Sequence, residues 1–301
     1  MSANGKSAIK KWLLRIVLGL VVLALLAAAY GYYTYRSYGF GRTPVYETQA
    51  PVIPALQHPA VLVFSKTNAF IHKEAIPAAE AMFKKLGEKN GWSVYVTENG
   101  AVHNTEDLAK FDVIVWNNVT GDVLNATQQQ ALKKYLQAGG GWIGLHGTGD
   151  SSSSWTWLKD SLVGAEFTAH PFPNQFQQAT MHIEHNNDPI VAHLGDEWVR
   201  TDEWYSFVES PRKKGMQVLA TLDESTYSPN FSGEDLSMGA DHPIIWKHCL
   251  GEGRALYSAL GHTAESYEEP DHVTLLEHAV EWAGGLEGND CPAAIGREIN
   301  L

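Results

Sequence analysis

Cysteine is scarce in this sequence: Cys249 and Cys291 are the only two among 301 residues. Two thiols are too few for a disulfide framework, and too few for a zinc site built from four thiolates. The two cysteines either form one disulfide or remain two separate thiols, and the sequence leaves both alternatives open.

Basic residues are scarce after residue 42. Residues 1–42 hold six lysines and arginines and no acidic residue, so the rest of the chain carries 16 basic against 34 acidic side chains. A domain this acidic is repelled by phosphate backbones, and nucleic acid is therefore not an expected partner. At 44% hydrophobic residues, the composition is that of a folded chain and excludes the disordered classes.

Three sequence signatures of cofactor sites are missing. No G-x-G-x-x-G motif follows a predicted strand and no P-loop occurs, so a nucleotide cofactor is not expected. The zinc motif H-E-x-x-H is missing as well. A divalent metal ion, which the sequence does not exclude, would need ligands from separate loops.

Charge is also missing from residues 16–35. As a helix rising 1.5 Å per residue, this stretch is long enough to cross about 30 Å of hydrocarbon. Four basic residues precede it, so the positive-inside rule predicts residues 1–15 in the cytoplasm and the remainder in the periplasm or cell exterior. A cleaved signal peptide, with small residues at 27–29, is the alternative to this anchor, and it also predicts export. Residues 36–59, with four prolines, predict an extended tether.

Residues 60–285 predict one α/β domain. In the first half, short apolar runs alternate with amphipathic segments, which favours a doubly wound, mostly parallel sheet with helices on both faces. From about residue 165, strand patterns are separated by long polar loops, so the second half is predicted to be elaborated and rich in β structure. Residues 286–301 are a C-terminal tail. The predicted strands are 60–64, 92–96, 111–116, 141–145, 179–184, 215–222, 243–248 and 254–259; the predicted helices are 75–86, 126–138 and 271–283.

Polar segments follow three of the predicted parallel strands, at residues 65–72, 117–122 and 144–151. Open α/β sheets bind ligands at the carboxyl ends of their strands, so we expect these segments to lie together. Glycines flank His146 at two residues before and one after it, which predicts an imidazole presented at a strand–helix elbow. Imidazole can transfer protons or bind a metal, but it is a poor acyl-enzyme nucleophile. A serine or cysteine hydrolase is therefore disfavoured.

Loop histidines and carboxylates supply the candidate site residues. We predict that His146 is the general acid–base, that His72 and His262 assist it, and that these three would be the ligands of any metal. Carboxylates beside aromatic residues at 202–205 suit a sugar pocket, although a plain strand end explains them equally well. The candidate substrate-binding residues are Lys66, Asn117, Asn118, Asp122, Asp150, His170, Asp202, Glu203, Trp204 and His242.

Several motifs resemble those of the trehalose-utilisation (ThuA-like) family. They include residues 64–72, 112–122, 139–147, 202–205 and 259–263, in family order. The resemblance extends over about residues 60–285, and it implies a flavodoxin-like fold similar to that of class I glutamine amidotransferases. It also implies that His146 lies where the amidotransferase cysteine would be, so glutaminase activity is not expected.

The resemblance implies a role in the catabolism of trehalose or other disaccharides, including 3-keto-glycosides. Together with the strand-end histidines, it predicts an exported, membrane-anchored enzyme that processes a glycoside or keto-sugar. A non-catalytic carbohydrate-binding protein that uses the same cleft is the alternative. The sequence gives no indication of oligomeric state.

Overall fold

The structure is a computed structural model that describes residues 3–286 and residue 291. The chain divides into two units, residues 1–42 and residues 43–301. The first unit contains helix α1, Ala3–Ser37. Within the described residues, one stretch of helix, Ile9–Ser37, is long and apolar enough to cross a membrane, and its apolar window is fully exposed. By length and composition, such a helix could be either an anchor or a signal peptide.

The second unit is a mixed α/β domain. Residues 43–59 contain neither helix nor strand, and most of the predicted tail lies outside the described residues. The strands are β1 Ala60–Phe64, β2 Ser93–Thr97, β3 Val113–Asn117, β4 Gly141–Leu145, β5 Phe167–Ala169, β6 Phe176–Ile183, β7 Glu197–Glu203, β8 Ser206–Phe207, β9 Gln217–Leu222, β10 Asn230–Phe231, β11 Glu234–Asp235, β12 Pro243–Leu250 and β13 Gly253–Ser258. The helices are α2 Ala75–Asn90, α3 Thr105–Leu108, α4 Ala126–Gln137 and α5 Pro270–Ala283.

The central sheet has nine strands in the order β2-β1-β3-β4-β13-β12-β9-β6-β7. The pairs from β2 to β13 are all parallel. The first four strands with β13 thus follow the doubly wound order 2-1-3-4-5, in which the strand order reverses between β1 and β3. This confirms the predicted fold class, and it places the loops after β1 and β3 at the position where such sheets bind ligands.

The other half of the sheet is antiparallel throughout. Its edge strand, β7, was not among the predicted strands. Buried and exposed residues alternate along β7, but two of its inward-facing side chains are Arg200 and Asp202. These two side chains form an ion pair at 2.9 Å, which allows them to be buried although they are charged. The sequence of β7 therefore lacks the alternating apolar pattern by which a strand is predicted.

The predicted first helix is confirmed and is longer than expected. Helix α2 buries its apolar face, including Phe83 and Leu86, against the sheet. It continues to Asn90 and ends at Gly91, which has a left-handed φ of 74°. At Gly87 a Cβ would lie 2.6 Å from a methyl group of Val94, so glycine allows the helix to lie close to β2.

The two cysteines form a disulfide between Cys249 in β12 and Cys291. The sequence leaves open one disulfide or two separate thiols, and the structure shows the disulfide. The bond connects the sheet to a residue 42 positions further along the chain. Such a link stabilises the native state chiefly by restricting the unfolded chain, and it persists best in an oxidising compartment.

One buried histidine outside the candidate site makes the stability depend on pH. His103 is fully buried, and its Nε2 accepts a 3.2 Å hydrogen bond from Trp116 Nε1. Burial lowers the pKa of His103 from 6.5 to about 3. Between those two values the unfolded chain binds a proton that native His103 does not, so the stabilising contribution of neutral His103 is complete above pH 6.5 and is lost as the pH falls towards 3.

We expect the free energy of unfolding to decrease as the pH falls from 6.5 towards 3, with His103 contributing at most about 1.4 kcal/mol per pH unit. His103→Gln should reduce this slope, because an amide oxygen can still accept the Trp116 bond but does not titrate. Urea unfolding of the full-length protein at several pH values measures the slope. The exposed His182→Gln is the control, and an equal slope in His103→Gln and wild type would contradict the assignment.

Candidate active site

Three histidines and one glutamate meet at the carboxyl edge of the parallel strands. His72 lies in the loop after β1, His146 directly follows β4, and His262 follows β13. Glu203, the last residue of β7, comes from the antiparallel half of the sheet. One donor atom from each of the four side chains lies within 4.8 Å of the others. We call these four residues the histidine cluster.

The local backbone around His146 allows the cluster to form. His146 has a φ of 38°, in the left-handed region, and its carbonyl oxygen accepts a 2.7 Å hydrogen bond from Tyr257. At Gly147 a Cβ would lie 2.6 Å from His72 Cε1, so only glycine lets the His72 ring approach this closely. The elbow is confirmed, but the His146 side chain is fully buried rather than exposed at the sheet edge.

Three atoms of the cluster form a nearly equilateral triangle. His146 Nε2 lies 3.0 Å from His262 Nδ1 and 3.1 Å from Glu203 Oε2. The third side, from His262 Nδ1 to Glu203 Oε2, measures 2.9 Å. The other nitrogen of His146, Nδ1, donates to the Ala259 carbonyl oxygen at 2.7 Å. Neutral His146 is therefore the tautomer whose Nε2 lone pair points into the triangle.

No placement of protons on the two ring nitrogens satisfies all three sides of this triangle. With a proton on His262 Nδ1 alone, the lone pairs of His146 and Glu203 face each other. With a proton on His146 Nε2 alone, the lone pairs of His262 and Glu203 face each other. With both protonated, the two N–H groups face each other across 3.0 Å. A cation at the centre of the triangle would satisfy all three atoms at once.

Glu203 is held by hydrogen bonds at both of its oxygens. While Oε2 faces the two histidines, Oε1 accepts a 2.5 Å bond from Gln175 Nε2 and lies 3.3 Å from His170 Nδ1. Burial raises the pKa of Glu203, but hydrogen bonds and charge from His146 and His262 outweigh it and lower the pKa. Glu203 therefore carries a negative charge inside the protein. The sequence predicted that it holds substrate hydroxyls and did not predict its pairing with His146 and His262.

The pKa values of the buried histidines move in opposite directions. Burial lowers the pKa of His146, but the hydrogen bond and charge of Glu203 more than compensate, so its pKa is raised. For His72, burial and the neighbouring histidines lower the pKa well below its usual value. The cluster thus favours positive charge beside Glu203 and a neutral ring at His72.

His72 completes the cluster from the loop after β1. Its ring meets those of His146 and His262 edge to face, at centroid distances of 4.9 and 4.8 Å. The side chain is buried, and its Nδ1 finds no hydrogen-bond partner in the described part of the chain. His72 therefore keeps a buried ring nitrogen whose hydrogen-bonding capacity is unused within the chain, beside two further imidazoles and Glu203.

Asp202 supports the cluster through hydrogen bonds within the chain. Its carboxylate accepts hydrogen bonds from the backbone N–H groups of Gly261 and His262, at 3.0 and 3.2 Å, and from Ser266. Burial raises the pKa of Asp202, but the Arg200 charge dominates and lowers it. The structure therefore places both Asp202 oxygens on partners within the chain, where they position the His262 backbone, and the predicted role in holding hydroxyls stays a prediction.

Three other candidate residues form contacts with the loops around the cluster. Lys66 Nζ contacts Glu47 Oε1 at 2.5 Å, and the second Glu47 oxygen accepts from the Gly100 N–H. Asp122 accepts three hydrogen bonds from the two serines at 153 and 154. Asp150 accepts from Ser152, and burial raises its pKa to about 6. These charged groups hold the loops around the cluster, and none of them belongs to it.

Four further candidates are fully buried structural residues. Asn117 donates to Ser65 and to the Ile76 carbonyl oxygen, and Asn118 accepts from the Gly147 N–H. The Trp204 indole donates to a backbone carbonyl, and both His242 nitrogens have partners. All four side chains are buried and bonded within the chain, and their predicted substrate contacts stay predictions. His170 is different, because its side chain is 27% exposed beside Glu203.

The sequence analysis did not identify several residues that contact the cluster. Phe176, the first residue of β6, is 46% exposed, and its ring centroid lies 5.1 Å from that of His262. Phe70 lies 4.8 Å from His72 by the same measure. Gln175 and the Ala259 carbonyl oxygen orient Glu203 and His146. A backbone carbonyl leaves no signal in a sequence, whereas the adjacent Gln175 and Phe176 precede a predicted strand and could have been noticed there.

The fold and the site define a class: a doubly wound α/β protein with three histidines and a glutamate clustered at the carboxyl edge of its parallel strands. The family model described as "Trehalose utilisation" (ThuA) matches residues 60–283. The chain therefore belongs to the ThuA family.

Two solved structures resemble this chain along most of their length. A putative ThuA-like protein from Bacteroides uniformis has 25% identity and a TM-score of 0.65, covering 78% of this chain and 95% of that one. Another from Parabacteroides merdae has 16% identity and a TM-score of 0.58, covering 78% and 92%, and shows the fold alone. No curated protein matches the chain.

The close approach at Gly147 makes a testable prediction. Gly147→Ala would place a Cβ 2.6 Å from His72 Cε1, so we expect the His72 ring to move away while the sheet stays folded. The histidine ring resonances of the full-length protein in NMR spectra measure this movement. Gly31→Ala in α1, where no described atom lies within 4 Å of the new Cβ and the backbone is helical, is the control. Unchanged His72 resonances in Gly147→Ala would contradict the packing.

Proposed function

We propose that this protein is an enzyme of carbohydrate catabolism that acts on a disaccharide such as trehalose, or on its 3-keto derivative, at the histidine cluster. One observation carries the proposal: in the buried triangle, the ionised Glu203 faces the ring nitrogens of His146 and His262, so the site favours positive charge beside it. A concentrated charge held in a buried site polarises a sugar hydroxyl or carbonyl oxygen and stabilises negative charge that develops there. That charge is either a proton, as in the acid–base role expected for His146, or a metal ion.

A catalytic site explains the burial of these groups better than a binding site does. Sugar binding needs hydrogen-bond donors and acceptors that reach solvent, and it does not need unpaired lone pairs held against each other. Unfavourable electrostatic arrangements kept in a buried site are typical of functional centres. The non-catalytic carbohydrate-binding alternative leaves the triangle without a purpose.

Two features favour a sugar as the substrate. The family to which the chain belongs is described by trehalose utilisation. In addition, Phe176 offers an exposed aromatic face beside His262, and His170 offers a partly exposed nitrogen beside Glu203. An aromatic face can pack against the apolar C–H face of a sugar ring, while a ring nitrogen can bond its hydroxyls. Glutaminase chemistry is not part of the proposal, since the elbow carries imidazole and no thiol.

We propose further that the α/β domain is exported and stays anchored by α1. The uncharged stretch, the basic residues before it and the Cys249–Cys291 disulfide all favour this location. We expect the protein isolated from intact cells to keep its N-terminus, to remain in the membrane after a high-salt wash and to contain no free thiol. Mass spectrometry after alkylation without reductant measures both the N-terminus and the thiols.

A mature chain that starts near Tyr30 would contradict the anchor and leave export standing. Two alkylated cysteines in a membrane-bound chain would contradict export. Alkylation after reduction is the control that shows both thiols can be labelled.

The catalytic proposal is tested by screening disaccharides and their 3-keto derivatives with the full-length protein in detergent. We expect His146→Ala and His146→Gln to lower kcat by about 10²–10³-fold, the usual effect of removing a group that stabilises developing charge. The His146 side chain makes three polar contacts and packs against the Tyr205 ring at a centroid distance of 4.4 Å, so circular dichroism is the control that shows each variant is folded. The exposed His182→Gln should keep wild-type activity.

The binding alternative predicts a different result. If His146 only holds sugar, His146→Gln should change KM and leave kcat close to wild type. Full turnover by a folded His146→Gln protein would overturn the catalytic proposal.

A further inference from the structure

We propose that the histidine cluster binds one divalent first-row transition metal ion, through one nitrogen each of His72, His146 and His262 and one oxygen of Glu203. The inference rests on the proposed function, which places a positive charge at this site, and it assigns that charge to a metal ion. Glu203 is the ligand that the sequence did not predict.

The donor set selects the class of metal. Three imidazole nitrogens and one carboxylate oxygen suit Zn²⁺, Mn²⁺, Fe²⁺, Co²⁺ or Ni²⁺. Mg²⁺ and Ca²⁺ prefer sites made entirely of oxygen ligands and would bind more weakly here. The described part of the chain holds no thiolate near the cluster, because both cysteines form the disulfide.

The distances in the triangle match a coordination shell. Ligand bonds of about 2.0–2.2 Å in a tetrahedral arrangement place neighbouring donor atoms about 3.3 Å apart. The triangle measures 2.9, 3.0 and 3.1 Å on its sides, so an outward movement of a few tenths of an ångström accommodates the ion. A metal also removes the conflict that every protonation state leaves between two of the three atoms.

Outer hydrogen bonds orient the ligands as they do in metalloproteins. The bond from His146 Nδ1 to the Ala259 carbonyl fixes the tautomer with Nε2 free for the metal. Gln175 and His170 hold the Glu203 oxygen that faces away from the triangle. Asp202 fixes the backbone of His262. Such partners sharpen ligand geometry and raise metal affinity.

His72 supplies the second, independent observation. It is buried, and its Nδ1 has no hydrogen-bond partner among the described residues. Its ring packs against the other two histidines, in a position that Gly147 keeps open. A neutral imidazole in this setting is ready to donate a lone pair, which is the form that binds a metal. In a shell of five or six ligands, the ion would keep a position open for a sugar oxygen and would act on it as a Lewis acid.

The test is metal binding by the full-length protein, extracted in detergent with an affinity tag that lacks histidine. After chelation and dialysis, the protein is titrated with Zn²⁺ by calorimetry and with Co²⁺ by visible absorption. We expect one equivalent to bind, with visible Co²⁺ bands, and Mg²⁺ to bind far more weakly. His146→Ala and His262→Ala should each weaken binding by at least about 10²-fold, and Gln175→Ala by about 10–100-fold.

The control is His182→Ala, an exposed histidine outside the cluster, which should bind as wild type does. Equal affinity in His146→Ala and wild type, or no bound equivalent in wild type, would overturn the metal site. The sugar screen separates this outcome from the proposed function. Turnover by chelator-treated protein that binds no metal would leave the enzyme proposal standing, while one bound equivalent without turnover of any sugar would support the metal and contradict the enzyme.

Discussion

The buried carboxylate of Glu203 is the constraint around which the site is arranged. An ionised group with 1% of its side chain exposed needs compensation from inside the protein. The chain provides it on both oxygens, with two histidines on one and with Gln175 and His170 around the other. His146 is in turn aligned by a backbone carbonyl, and His262 by Asp202. The histidines that face the carboxylate therefore have little freedom to turn away, and the site keeps its geometry before any ligand arrives.

The two halves of the sheet contribute different parts of this arrangement. The parallel half brings the ends of β1, β4 and β13 to one edge, and each of these strands is followed by one histidine of the cluster. Its inner strands β1, β3 and β4 are buried on both faces and carry continuous apolar runs, so the positions of these loops are fixed by a rigid core. The antiparallel half supplies the negative charge and the exposed aromatic face of Phe176. The cluster thus lies where a common α/β framework meets the part of the domain that departs from it.

The parallel half was predictable because local patterns decide it. Apolar runs of five residues and glycines around His146 gave the strands, the elbow and the convergence of His72, His146 and His262. The antiparallel half was harder, since β7 buries an Arg200–Asp202 ion pair and its pattern is set by partners far along the chain. Asp202 and Glu203 are adjacent and chemically alike, yet one binds backbone amides and the other faces the histidines. Neighbours in sequence alternate between the two faces of a strand, and only the fold determines what each face meets.

The four cluster residues come from positions 72, 146, 203 and 262, so nearly two hundred residues separate the first from the last. The three side chains of the triangle, His146, Glu203 and His262, each come from a different supersecondary unit. During folding, the site exists only after β13 has paired with β4 and β7 has joined the far edge. An intermediate that lacks either strand has scattered imidazoles and a solvated glutamate, with none of the chemistry. The geometry of the cluster therefore depends on the completion of the whole sheet.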